Sequence, residues 1–296
     1  MTGPERGFLL LTSRLGDPER KVLTTAQLRT LGRRMQNVPK PHEDRDLEPG
    51  DLLALGYDEP TARRIVMLLS EEDRLDWYLT RSKRADCLPI TRISAGYPRK
   101  LEEKLGLDAP GCLWARGDLS ILSMPMVSLV GSREIRENNR RFAEEAGRQA
   151  AIQGFALVSG NARGADRIAQ EACLEEGGHV VSILADELEK HSLRQRMLLL
   201  SEDGFDEPFS APRALSRNRC IHALGELTLV AQAGYQQGGT WDGTVKNLRF
   251  RWSPVHCFDD HSPAAVMLEQ MGAGCVSLED LSDLKKLAKS EEIRLF

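Results

Sequence analysis

An α/β fold, with a doubly wound and mostly parallel sheet preceded by a small all-helical domain, is what this sequence predicts, and three observations predict it. From about residue 126 onward, short apolar runs rich in β-branched residues alternate with amphipathic stretches. Glycines stand at the joins between run and stretch. Residues 1–86 lack this alternation and read as short helices. Buried parallel strands are continuous apolar runs rather than alternating ones, and helices between them cover both faces of the sheet.

Taken in order, residues 1–86 carry 15 basic and 15 acidic residues and are interrupted by VPKPHEDRDLEPGD, a polar stretch rich in Pro and Asp. Within them LLALGYDEPTARRIVMLL predicts a helical hairpin. Leu52, Leu53 and Leu55 lead into Gly56, and Ala62, Ile65, Val66, Leu68 and Leu69 mark a second apolar face. Leu-x-x-Leu-Gly before a helix also begins many helix-hairpin-helix DNA modules, but Gly56-Tyr57-Asp58 lacks the second glycine that brings backbone amides onto a phosphate. Residues 1–86 are therefore expected to be a small helical, SAM or helix-hairpin-like domain used for packing or docking. Residues 87–296 are expected to form one Rossmann-like domain. Its expected strands are 126–130, 155–159, 180–184, 227–231 and 254–258. Helices are expected over RRFAEEAGRQAAIQ, ending at Gly154, and over ADRIAQEACLEE, ending at Gly177-Gly178. LSDLKKLAKSEEIRLF predicts a last helix that frays at its end.

Composition narrows the function. At 296 residues, with 41% hydrophobic and 28% charged residues, the chain is globular in character and long enough to bury a core. No apolar run approaches ~18 residues, so a membrane span is not expected. The six cysteines are scattered without a CxxC pair, which argues against zinc and disulfide frameworks and for a reducing cytoplasm. The net charge of −4 gives no bulk electrostatic case for nucleic acid, so any such site must be local.

Three loops leave the carboxyl ends of expected strands, where open parallel sheets bind ligands. Gly131-Ser132-Arg133 offers a sharp turn, helix-start amides and a guanidinium fork suited to phosphate oxygens. Ser159-Gly160-Asn161-Ala162-Arg163-Gly164-Ala165-Asp166 repeats that logic one strand later, with Asp166 placed to cap free amides or to hold Arg163. The third loop carries Gly238, Gly239 and Thr240 at a helix start, with amide and hydroxyl donors; Trp241 reads better as a core residue than as a base platform. Between the second and third loops, Arg217-Asn218-Arg219 either contacts nucleic acid or braces the other loops. Lys246 is a further candidate cation. Residues 127–256 hold 16 basic and 17 acidic groups, yet 14 of the 16 are arginine, the residue suited to fixed bidentate phosphate recognition.

These residues resemble the DprA/Smf family of DNA-processing proteins. The likeness is carried by Tyr97-Pro98-x-x-Leu101, Gly131-Ser132-Arg133, Ser159-Gly160-x-Ala162-Arg163-Gly164-x-Asp166, Arg217-Asn218-Arg219, Gly238-Gly239-Thr240 and Gly272-Ala273, in order across about residues 97–275. The resemblance implies binding of single-stranded DNA, loading of a RecA-type recombinase, a role in natural transformation or recombination, and a homodimer formed through the Rossmann-like domain. It implies no cofactor and no catalytic or metal-ligating residue. The sequence departs from the family pattern at Asn161, Ala165, Gly238, His191 and Ser192. With residue 296 as its end, the winged-helix domain that many relatives append is not expected. The third loop also resembles the glycine-rich loop of LOG-type nucleotide phosphoribohydrolases, which gives the alternative of a nucleotide-binding or hydrolysing protein. In that family a glutamate follows the Gly-Thr pair, whereas here Gly243-Thr244 is followed by Val245, Lys246 and Asn247. DNA binding is the preferred reading.

Overall fold

The computed structural model describes residues 1–36 and 46–289. Part of the Pro- and Asp-rich stretch and the end of the expected last helix, residues 290–296, lie outside the described residues. The chain divides into two units. One comprises Met1–Tyr97, Pro110–Trp114 and Glu202–Gly204; the other holds Pro98–Ala109, Ala115–Ser201 and Phe205–Phe296.

The first unit contains α1 (Gly3–Thr12), α2 (Thr25–Gln36), α3 (Pro49–Ala54), α4 (Glu59–Leu69), α5 (Glu72–Arg84) and β1 (Leu88–Thr91). The expected hairpin is α3 and α4, turned by Gly56 at φ +80°, a backbone state that glycine adopts without a Cβ clash. Leu52, Ala62, Ile65 and Leu68 enter a core with Leu11, Leu23 and Leu31, while Leu53 is exposed. At the start of α4 the Asp58 carboxylate accepts from the Thr61 amide at 2.8 Å. Hydrogen bonds from Thr61 hold that carboxyl below its ordinary range. This negative cap occupies the helix start that a helix-hairpin-helix module would turn toward a phosphate. Asp58→Ala is accordingly expected to lower the urea midpoint through loss of the cap.

The second unit is the α/β body. It holds α6 (Arg99–Leu105), the last three residues of β2 (Cys112–Gly117), β3 (Met126–Gly131), α7 (Glu137–Ile152), β4 (Ala156–Ser159), α8 (Ala165–Glu175), β5 (His179–Ile183) and β6 (Met197–Ser201). Then come α9 (Ala211–Ser216), α10 (Asn218–Leu224), β7 (Leu227–Gln232), α11 (Gly238–Phe250), β8 (Val255–Phe258), α12 (Pro263–Gln270), β9 (Gly274–Val276) and α13 (Leu284–Lys289). Seven strands run β6-β5-β4-β3-β7-β8-β9, every neighbouring pair parallel. From β3 the chain winds outward through β4, β5 and β6, then returns to β7 and winds the other way. That is a doubly wound sheet. All five expected strands are present; β1, β2, β6 and β9 are additional to them.

α7 ends at the Gln153–Gly154 turn, with Gly154 at φ +76°, and crosses α8 closely enough that a side chain on Gly147 would strike the Ala169 carbonyl. Among the described residues no helix is long and apolar enough to cross a membrane.

A polar cluster lies buried where α10 and α11 meet β7. Asn247 Nδ2 reaches His222 Nδ1 at 3.1 Å and donates to Ser253 Oγ at 3.0 Å; Thr228 Oγ1 lies 2.8 Å from Ser253 Oγ. Burial pushes His222 down from 6.5 to about 3. The folded state thus keeps this imidazole neutral while the unfolded chain takes a proton below 6.5. Its contribution is complete above pH 6.5 and is lost as pH falls toward 3, with a slope approaching 1.4 kcal/mol per pH unit. Denaturant titrations between those limits should show that slope, and His222→Leu should flatten it.

Candidate functional site

The site is built first from places where a side chain cannot fit. Gly131 closes β3 at a register shift against β7, and a Cβ there would meet the Cβ of Ala165. Gly164, at φ +89°, passes so close to the Ser132 and Arg133 carbonyls that only glycine is accommodated. The Ala165 amide donates to Ser132 O at 3.2 Å. The loops after β3 and β4 are thereby locked into one surface at the carboxyl edge of the sheet.

Beneath that surface lies a charged core. Asp166, 6% exposed, accepts from the Gly160 amide at 3.0 Å and the Ala162 amide at 3.2 Å. Burial pushes its carboxyl above the ordinary range, against the opposing pull of Arg217, the two amides and Arg133. Arg217 is 8% exposed; its Nη1 donates to the Ile183 carbonyl at 2.6 Å, and its guanidinium lies directly on Gly160, where a Cβ would collide with it. The structure thus places the Arg217 guanidinium against the second loop, where it also lines a cavity.

Arg133, Arg163 and Arg167 stand exposed around a cavity of about 350 Å³. Arg163 makes a 3.4 Å ion pair with Glu134 in which both side chains are mostly in solvent, and Arg167 Nε donates to the Asn161 carbonyl at 3.3 Å. Gly160, Ala162, Leu184, Ala185 and Ala214 line the same cavity, together with Phe209, which is 56% exposed. On its wall Asn161, held at φ +56°, places Nδ2 3.1 Å from His191 Nδ1, and His191 Nε2 lies 2.9 Å from Asp186 Oδ1. Phe209, Asp186 and His191 were not among the site residues expected from sequence.

The third loop does not line this cavity. α11 starts at Gly238, but the Thr240 hydroxyl, expected to face a phosphate, donates to the Gly131 carbonyl at 3.0 Å. Asn218 Nδ2 donates to Gly239 O at 3.1 Å. Arg219 donates to Asp108 O at 2.8 Å and to Ser216 O at 2.5 Å, and Lys246 pairs with Asp242 at 2.8 Å on an exposed face of α11. Ser132 Oγ donates to Gln232 O at 3.2 Å, and Ser159 Oγ, wholly buried, accepts from Gln170. Trp241 is half-buried and packs edge-on against Tyr235, with 5.6 Å between ring centroids.

The sheet reverses its winding between β3 and β7, and ligands of such sheets enter the crevice there. In this chain protein groups occupy it. Gln232 Oε1 accepts from the Arg136 amide at 2.9 Å and Gln232 Nε2 donates to Glu134 O at 3.0 Å, while Asp260 accepts from Arg136 and Asn139. The open cavity lies to one side, over the ends of β3, β4 and β5.

Comparison with known proteins adds the following. The family model for DNA recombination-mediator protein A matches residues 89–284. Protein Smf of Escherichia coli is 31% identical over 142 residues, which are 44% of this chain and 38% of that protein. DNA processing protein DprA of Streptococcus pneumoniae is 31% identical over 156 residues, 48% of this chain and 53% of that one. DprA of Bacillus subtilis is 26% identical over 224 residues, with 68% and 71% covered. The chain thus spans 38% and 53% of the first two relatives. In three dimensions it is similar to S. pneumoniae DprA, with a TM-score of 0.72 at 22% identity, covering 97% of this chain and 98% of that one. It is also similar to DNA processing protein A of Helicobacter pylori, whose structure is described as showing a single-stranded DNA binding mode. There the TM-score is 0.57 at 22% identity, covering 68% and 96%. At those identities the structural likeness shows the fold.

Proposed function

The chain belongs to the family of DNA recombination-mediator protein A, and from that membership we propose that it binds single-stranded DNA over the ends of β3, β4 and β5 and delivers it to a RecA-type recombinase. The observation that carries the proposal is the set of exposed arginines, Arg133, Arg163 and Arg167, around one cavity in a chain whose net charge is −4. A local cationic rim on an acidic protein selects a polyanion at that place rather than over its whole surface.

Each part of the site has a task in this reading. Gly131, Gly160 and Gly164 let the two loops pack on each other and on Arg217, which sets the shape of the surface, and Ser132 and Ala162 form the rest of it. Arg133 and Arg163 take successive phosphates. Phe209 offers a face on which an unstacked base can lie, an arrangement that duplex DNA cannot use because its bases are already stacked. Asp166 and Arg217 hold the second loop in shape. Gly238, Gly239, Asn218, Arg219 and Lys246 lie outside the cavity, and we assign them a flanking role. Residues 87–296 are the DNA-binding domain in this proposal, and residues 1–86 a docking domain. The family description as a recombination mediator supports the handover, and a pairing of two copies is a further part of the proposal.

Titration of a fluorescent oligo-dT with the whole protein tests the central claim. Binding that weakens with salt, and that duplex DNA of equal length competes for poorly, is the expected result; equal competition by duplex would overturn it. The matched family is described as a mediator rather than as an enzyme. In line with Val245, Lys246 and Asn247 after Gly243-Thr244, incubation with nucleoside monophosphates should release no free base above a heat-killed control, read by chromatography.

A further inference from the structure

The cavity is lined by two chemically opposite sets of groups. One is the exposed guanidinium groups of Arg133, Arg163 and Arg167. The other is the hydrogen-bonded chain Asn161–His191–Asp186, and its polarity follows from the Asn161 end. An amide nitrogen only donates, so His191 Nδ1, 3.1 Å from Asn161 Nδ2, is the accepting nitrogen, and Nε2 faces Asp186 Oδ1 at 2.9 Å. One N–H of the Asn161 amide is engaged there; its carbonyl oxygen and second N–H remain for a ligand, and the Asp186 carboxylate lines the same cavity. With one remaining N–H against a carbonyl oxygen and a carboxylate, the wall offers mostly acceptors.

The chain of bonds is held from outside the cavity as well. Arg116 Nη1 donates to the His191 carbonyl at 2.9 Å and Arg167 Nε to the Asn161 carbonyl at 3.3 Å, which fixes the backbone at both residues. Asn161 sits at φ +56°, in the left-handed region that asparagine enters more readily than most residues.

Acceptors repel phosphate oxygens, so a bound strand has one favourable orientation: phosphates toward the arginines, a base edge toward Asn161 and Asp186. A base that presents an exocyclic amine there gains hydrogen bonds. A base that presents a carbonyl there sets acceptor against acceptor. We propose that Asn161 and Asp186 read one base of the bound strand and favour an amino base, cytosine above all, over thymine, with His191 as the positioning residue that fixes the amide of Asn161. Cytosine N4 and thymine O4 occupy the same place on the ring, so the two pyrimidines compare donor with acceptor directly. The inference rests on the single-stranded-DNA reading proposed above.

Binding of the whole protein to oligo-dC and oligo-dT of equal length tests it. The quantity read is the ratio of the two affinities, which cancels changes in phosphate contacts or in the folded fraction. The parent protein should prefer oligo-dC by roughly tenfold. Asn161→Gly, which suits the left-handed backbone and removes the acceptor, should bring the ratio to about one. His191→Phe should do the same by freeing the amide to turn. His191→Gln, whose amide can accept from Asn161 and donate to Asp186, should retain more of the preference than His191→Phe, which a purely space-filling role for His191 would not produce. A parent ratio near one, or a preference that survives Asn161→Gly, would overturn the inference while leaving DNA binding in place. Binding of neither oligonucleotide would remove the single-stranded-DNA reading and this inference together.

Discussion

Replacing Arg217 by alanine is expected to lower the unfolding free energy by about 3 kcal/mol or more, because it strips a buried carboxylate of its cation. Three things are lost at once. Asp166 remains buried beside an empty space, the Ile183 carbonyl loses a donor at 2.6 Å, and the surface of Gly160 loses the guanidinium that covers it. The pH dependence identifies the mechanism. Burial already holds the Asp166 carboxyl above its ordinary 3.8, and the charge of Arg217 opposes that shift. Without Arg217 the folded value rises further. The folded variant then binds a proton that the unfolded chain has released, so its stability falls as pH rises from 3.8 through the folded value. Urea melts should therefore show the gap between parent and variant widening as pH rises above 3.8. Adding Asp166→Asn to Arg217→Ala should narrow the gap and remove its pH dependence. A gap that stays constant with pH would mean that Arg217 acts through packing alone.

The same pair shows how far sequence reading reaches into this site. The five expected strands are those whose β-branched residues and flanking glycines leave a local trace. β6, MLLLS, is wholly buried but built on leucine, which carries no β preference; β1 contains a proline and β9 has three residues. The first two loops were legible because their glycines are required by close contacts along the chain, as at Gly164 against Ser132 and Arg133. The division of labour among the arginines was not. Arg133 and Arg217 look alike in sequence, and only the path of the chain over β5 decides that one faces solvent while the other lies under Gly160. His191 and Phe209 reach the cavity from the segments that follow β5 and β6, 30 and 48 residues beyond Asn161. No local pattern marks them. Thr240 illustrates the converse. A hydroxyl at a glycine-rich helix start looks like a phosphate donor, yet a free carbonyl at the β3 bulge takes it.

Arg133→Ala combined with Arg163→Ala is expected to weaken single-stranded DNA binding by about tenfold at ~0.15 M salt, and by more at lower salt. The estimate follows from counterion release. Each phosphate contact on a single strand contributes about −0.7 to the slope of log affinity against log salt, so losing two contacts should flatten the slope by about 1.4. Each single variant should remove half of that, and the loss should not depend on base sequence, because a phosphate contact carries no sequence information. The ratio of oligo-dC to oligo-dT affinity should survive the double variant, since that preference belongs to Asn161 and Asp186. Folding stability should change by less than about 0.5 kcal/mol. Arg163 and Glu134 are 72% and 91% exposed at their side chains, and an ion pair so open to water contributes little. This separates the rim from the interior: Arg217→Ala should be seen in the melt, the rim variants only in the binding curve. Arg219→Ala and Lys246→Ala serve as matched controls that also remove one cation each, but outside the cavity. If they flatten the salt slope as much as Arg133→Ala and Arg163→Ala do, the strand runs over α10 and α11 instead. If only the rim variants flatten it, the phosphates lie on the loops after β3 and β4.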